Sequence, residues 1–359
     1  VLGSWKLSSE NKEETADVLQ GIQQQLGDPT YILSDLSQAL GEAARKVFPN
    51  VQQKKCHFHF LSDVGEDLCG PPQKKLCKAM RAHKLQNRLK TLRVDLRRQL
   101  LKGCRQRQES PRLYECLQGH VPTDLNPRIL QQQMLLNIHE WIADYGSDGH
   151  REGYPFDPFF LYFHRRLQEG RHVLKEILSQ ADVKSNDFLA LRNLHQRLEH
   201  YLNDSKVQQA AREFEEAHGY LQRLRQALRL PPDEESSTPR SEPYDLPGGQ
   251  AEVIVDRIDA FAGKLREELS DALPSQKRCI QIILQHIEKY GEQLQLVSLD
   301  EHNETIGIPR TTNAIEHFFR LLKRLRRRVH GRGNLRRDLL HLPPELPLIT
   351  NLTNPIYLQ

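Results

Sequence analysis

The sequence predicts an α/β fold that is divided by a large all-α insertion, and three observations lead to this prediction. An apolar run at residues 31–33 precedes Asp35 and a helical pattern, as expected where a strand leads into a helix. Most of the more than two hundred residues that follow read as helices. Near the end of the chain, residues 311–333 form another helical pattern, which carries a dense run of arginines.

The first element of interest is the helix that follows Asp35. Its apolar positions recur at helical spacing: Leu36, Ala39, Leu40, Ala43 and Val47. A carboxylate at the end of a strand can be catalytic. An acid in front of a helix, here together with Gln38, can equally be a helix cap. The sequence alone leaves both interpretations open.

Cys56 and His59 form a Cys-x-x-His pair soon after this helix. Two such residues at chelating spacing resemble half of a zinc site. A closed structural zinc site needs four ligands, and no second pair at comparable spacing is present. The sequence therefore argues against zinc.

The middle of the chain reads as a series of basic and neutral helices. Residues 72–107 carry thirteen Lys/Arg against one acid, Asp95, with leucines at helical spacing. This stretch is a candidate nucleic-acid contact, although a solvated surface or a protein-interaction arm fits the same pattern. Further helices are predicted at about 123–145, 158–181, 186–203, 205–229, 251–273 and 275–297.

The segment from Glu316 to Arg337 carries nine Lys/Arg and a single acid, Glu316. Its apolar residues Ile315, Phe318, Phe319, Leu322 and Leu325 share one helix face. Arginine-rich faces bind phosphate, so a nucleic-acid backbone is the natural partner. Asn313 and Glu316 also fit a capping box, which would make Glu316 structural.

Two separate parts of the chain together resemble the DDE transposases of the Mutator-like superfamily and related bacterial insertion-sequence transposases. The first is TYILSDLSQALGEAARKVFPNVQQKKCHFHF and the second is PRTTNAIEHFFRLLKRLRRRVHGRG. The resemblance covers about residues 1–62 and 300–355. Its order and spacing are more specific than any single motif.

The resemblance implies a ribonuclease-H-like (DDE integrase-type) catalytic core that is split by a helical insertion. Residues 1–62 would begin the core, residues 63–230 and 251–299 would form the insertion around an acidic, proline-rich linker at 231–250, and residues 300–359 would complete the core. Asp35 and Glu316 would be catalytic and would bind Mg²⁺ or Mn²⁺. Cys56, His59 and Asn313 would belong to the motif near the site. The implied DNA contacts are Arg320, Lys323, Arg324, Arg327, Arg328 and Arg332.

The implied function is metal-dependent strand cleavage and strand transfer of a mobile element. The implied partners are double-stranded DNA and transposon ends, bound by a homodimer or higher oligomer in the cytoplasm, at the nucleoid in a bacterium. The alternative is a decayed or domesticated transposase that binds DNA without cutting it.

The family's first catalytic Asp is missing from the printed sequence. It precedes a strand that resembles residues 1–7, where this chain begins with Val1. We therefore expect the chain as printed to cut DNA poorly or not at all.

Bulk composition fits this interpretation without proving it. The net charge is only +4, so affinity for DNA must come from local basic patches. The six cysteines show no tightly spaced framework, which favours reduced thiols. No run of residues has the apolar length of a membrane span, so we expect no membrane partner.

Overall fold

The computed structural model describes residues 11–106, 127–150, 152–180, 189–228 and 248–295, together with residues 7, 9, 297–299, 305–307, 311–312 and 324. Helices make up 81% of these residues. The α-helices are α1 Lys12–Leu26, α2 Gln38–Val47, α3 His57–His83, α4 Leu85–Gln106, α5 Pro127–Ala143, α6 Phe159–Gln180, α7 Leu189–Leu202, α8 Ser205–Ala227, α9 Gly248–Asp271 and α10 Pro274–Tyr290. They follow the helical patterns of the sequence closely from α5 onward.

Two short strand pairs complete the described structure. Strand β1 (Tyr31–Ser34) pairs in parallel with β2 (Gln52–Lys55), and α2 forms the connection between them. Strands β3 (Val297–Leu299) and β4 (Thr305–Gly307) form an antiparallel pair. Each pair is a separate two-stranded sheet.

The predicted α/β ribonuclease-H-like (DDE integrase-type) core is wrong for the described part of the chain. Such a core is built on one central sheet, whereas the described strands form two small separate pairs among long helices. The strands are only three or four residues long, and helix faces supply nearly all of the main buried cluster. Helix-on-helix packing therefore determines the architecture.

The main core forms where α3 packs against α8. Large apolar side chains of both helices are fully buried there: Phe60, Leu61, Val64, Leu76, Phe214, Leu221 and Leu224. Gly65 allows this close approach, because an added Cβ would lie 2.5 Å from the Pro155 ring and 3.1 Å from Leu221. Helix α3 begins at His57 and contains Pro71 and Pro72 in its interior. The apolar stripe thus outweighs the hydrogen bonds that the two prolines remove.

Candidate functional site

Asp35 lies directly after β1, at the end of the parallel strand pair. Its Oδ1 accepts a hydrogen bond from the backbone N–H of Ser37 at 3.0 Å. Ser37 is itself the N-cap of α2, because its side chain accepts from the backbone N–H of Leu40. Ser37 therefore fills the capping position, and Asp35 is oriented beside it. No hydrogen bond to Asp35 Oδ2 comes from the described residues.

Lys55 is a buried cation at the same strand ends, and sequence reasoning missed it. Its Nζ donates to the backbone carbonyl of Asp35 at 2.8 Å and to Ser34 Oγ at 3.0 Å. Burial lowers the pKa of Lys55, and the nearby Asp35 charge partly opposes that shift. The strand register explains the contact, since Ser34 and Lys55 are paired across the two strands. Lys55 therefore fixes the turn that presents Asp35.

Cys56 occupies the N-cap position of α3, next to the end of β1. Its backbone N–H donates to Ser34 O at 2.8 Å, and its side chain is fully buried. Burial raises the pKa of the Cys56 thiol, but hydrogen bonds from His59 and from the Thr312 backbone outweigh burial, so the net pKa is lowered. The Cys-x-x-His pair is thus a polar contact within one helical turn.

Thr312 joins the two distant parts of the sequence. Its hydroxyl Oγ1 lies 3.7 Å from Cys56 Sγ, although the residues are 256 positions apart. Thr311 beside it is buried, and Thr312 itself is half-buried. His57 provides a second connection, because its Nε2 donates to Leu294 O at 2.8 Å. The start of α3 therefore contacts the chain on both sides of β3 and β4.

Several predicted site residues lie outside the described residues. They are Asn313, Glu316, Arg320, Lys323, Arg327, Arg328 and Arg332. Arg324 is described as helical and exposed. The approach of Glu316 to Asp35 thus stays a prediction, whereas Thr312, four positions before Glu316, lies at the strand ends.

The described side chains around Asp35 provide only part of a binding site for a hard cation. The carboxylate of Asp35 is an oxygen ligand of the kind that magnesium prefers. Among the described residues, no group of three His, Cys, Asp or Glu side chains could hold a metal ion. A complete metal site at Asp35 would therefore need ligands beyond these residues.

A buried ion pair is connected to the start of α3 through two packed phenylalanine rings. Arg225 donates to both carboxylate oxygens of Glu152, at 2.8 and 2.6 Å, and its guanidinium lies over the Phe156 ring. The Phe156 ring packs against Phe58 with centroids 5.0 Å apart. Phe58 is in the first turn of α3, so this arrangement braces the helix end that carries Cys56.

Comparisons with protein-family models, curated proteins and solved structures found no match to this chain. Among the described residues, no helix combines the length and the apolar character that crossing a membrane requires.

Proposed function

We propose that this protein acts on DNA as a transposase of the DDE type, cleaving and transferring strands with the help of divalent metal ions. The contact between Thr312 and Cys56 is the observation that carries the proposal. It brings the beginning of the Glu316 segment to the strand ends where Asp35 lies. The resemblance of both motifs supports the same interpretation.

In this proposal, Asp35 and Glu316 are the metal ligands, and the arginine-rich segment after Glu316 holds the DNA strand beside them. Bound Mg²⁺ or Mn²⁺ would supply the charge stabilisation that in-line attack on a phosphodiester needs. Lys55 positions the Asp35 turn, since its Nζ binds the carbonyl of Asp35 itself. The partners are double-stranded DNA and transposon ends, with the protein acting as a homodimer or higher oligomer in the cytoplasm.

A second candidate function is DNA binding without cleavage. It is supported by Arg324, an exposed helical residue of the arginine-rich segment that could bind DNA without a metal site. The basic segments would then retain their role, and the Asp35 turn would serve only the fold.

Metal binding tests the proposed function even when turnover is slow. Mn²⁺ titrated into the protein without DNA should lose its free-ion electron paramagnetic resonance signal, because carboxylate oxygens take it up. Asp35→Asn and Glu316→Gln should each restore the free-ion signal, and each should remove any Mn²⁺-dependent nicking of supercoiled plasmid that the wild type retains. Asp17→Asn is the matched control, since Asp17 is exposed on α1.

Equal Mn²⁺ uptake by wild type and both site variants would overturn the catalytic proposal. DNA binding that persists without metal uptake would instead favour the second candidate. Replacing Arg324, Arg327 and Arg328 with Ala should weaken DNA binding in both cases and flatten its salt dependence, because fewer counterions are released.

A further inference from the structure

Two neighbouring cavities open where α3 passes into α4. The first, of about 380 Å³, lies between this junction and α7 and is lined by Arg88, Arg197, His83 and His200, among others. The second, of about 300 Å³, is lined on its charged side by Arg81 and Lys84. Leu85 lines both cavities. No carboxylate is among the described residues that line either one.

The four cations at these cavities are exposed and lack an acidic partner in the described structure. Arg81, Lys84, Arg88 and Arg197 make no ion pair with any described residue. Other cations nearby are paired: Lys75 binds Glu213 at 2.6 Å, and Arg97 binds Glu140. Unpaired like charges that converge on one surface repel each other, so an anion bound between them would relieve that repulsion.

Lys84 occupies a backbone position that suits glycine better. It ends α3 with φ 53° and ψ 20°, and it is the one described non-glycine residue with a positive φ. Glycine adopts this left-handed conformation without steric cost, and helices commonly end on it. A lysine at this position therefore adds a cation between α3 and α4, but its left-handed backbone conformation costs more free energy than it would for glycine.

The cavity wall beside Lys84 is held by hydrogen bonds. His83 Nε2 lies 2.8 Å from Asp204 Oδ2, and Asp204 Oδ1 also accepts from the backbone N–H of Lys206, capping α8. The His83 ring packs edge-on against His200 and Tyr201. The end of α3 is thus fixed to the α7–α8 corner, so the cations project from an ordered frame.

Further cations extend this surface back along α3, so that it suits a polyanion better than a single phosphate. Lys74, Lys78 and Arg81 are exposed and follow each other at helical spacing on α3, and Arg88 lies beyond Lys84, in the first turn of α4. The seven steps from Lys74 to Arg81 cover about 10 Å at the helical rise of 1.5 Å per residue. A regular array of phosphates can match such a line, whereas one small anion would contact only part of it.

We propose that this basic surface, formed by Lys74, Lys78, Arg81, Lys84, Arg88 and Arg197, binds the phosphate backbone of duplex DNA. The proposal rests on the proposed function, because it gives the same substrate a second contact away from Asp35. The cavities accept phosphate oxygens between arginine forks, and neutral Asn193 and Gln196 supply further hydrogen-bond donors without adding charge.

The first test measures the salt dependence of binding to a fluorescently labelled duplex by anisotropy, between about 50 and 200 mM salt. The double variant Arg88→Gln/Arg197→Gln should bind at least about tenfold more weakly at 0.1 M salt, with a log–log slope less steep by about 1.8. Lys264→Gln is the matched control, because Lys264 is exposed on α9, which packs on α8 and α10. This control should keep the wild-type slope.

Lys84→Gly separates binding from folding. It should lower DNA affinity and reduce the slope by about 0.9, while its melting temperature stays equal to or above that of the wild type. A purely structural lysine would give the opposite result, with unchanged DNA binding.

Each remaining outcome counts against the proposal. If the wild type binds DNA but the Arg88/Arg197 variant keeps its affinity and slope, this surface is not the contact, and the proposed function survives alone. If the wild type binds no DNA, both proposals fail together. If inorganic phosphate displaces DNA far better than chloride at equal ionic strength, the cavities bind single phosphate groups instead.

Discussion

The buried ion pair between Arg225 and Glu152 should contribute strongly to the free energy of unfolding. Replacing Glu152 with Met removes the carboxylate that faces the buried Arg225 guanidinium. The two side chains are only 5% and 6% exposed, and they share two hydrogen bonds. Removing one partner of such a pair costs about 3–5 kcal/mol. That is a large part of the roughly 5–15 kcal/mol that stabilises a typical domain.

A double-mutant cycle isolates the interaction energy. Glu152→Met and Arg225→Met should each destabilise strongly, whereas the double variant should lose much less than their sum, with a coupling energy of at least about 2 kcal/mol. Urea unfolding followed by circular dichroism at neutral pH gives each free energy of unfolding. The control cycle uses Arg165 and Glu215, a pair with side chains 48% and 43% exposed, which should couple by less than about 1 kcal/mol. Equal coupling in the two cycles would refute the reasoning.

Three further predictions concern the same framework. Burial raises the pKa of the Cys69 thiol to about 12 and that of Cys279 to about 11, so their contribution to stability is complete below pH about 9 and declines above it. At pH 10 the loss should be on the order of 1 kcal/mol per thiol, and the Cys69→Ala/Cys279→Ala variant should lack this part of the pH dependence in urea unfolding. Gly65→Ala should destabilise by about 1–3 kcal/mol in thermal unfolding because its methyl meets a proline ring, whereas Gly263→Ala has no atom within 4 Å and should be neutral or stabilising. Ser37→Ala should cost about 1 kcal/mol of unfolding free energy by removing the N-cap of α2, and an unchanged value would show that this cap is dispensable.

The helices could be located from the sequence because burial repeats along them with the helical period. Leu191, Leu194 and Leu198 show this on α7, where every one is buried. The basic pattern at residues 72–107 indicates only the later part of α3, which begins at His57. Pro71 and Pro72 suggest a break within α3, but buried contacts keep the helix continuous from His57.

The fold class could not be predicted in the same way. The apolar run before Asp35 does form a strand, yet nothing in a four-residue run shows how many neighbours it pairs with. The resemblance supplied a larger sheet, and the described residues do not contain it.

The predicted catalytic, metal and DNA-binding residues stay predictions, and only a contact between two of the motifs is observed. The motif order associated Cys56 with the Thr311–Thr312 motif, and their contact is observed, whereas Glu316 lies outside the described residues. Lys55 was missed because its role depends on strand register. The cavity cations were seen as a basic run, but Arg197 joins them only through the packing of α7.

Helix α3 sets the distance between two parts of the molecule. Cys56 and the Asp35 turn lie at its beginning, and Lys84 lies at its end. Its 27 residues measure about 40 Å along the axis. One turn of duplex DNA measures about 34–36 Å. Under the proposed function, a straight duplex lying along this helix would therefore need slightly more than one turn to extend from one point to the other.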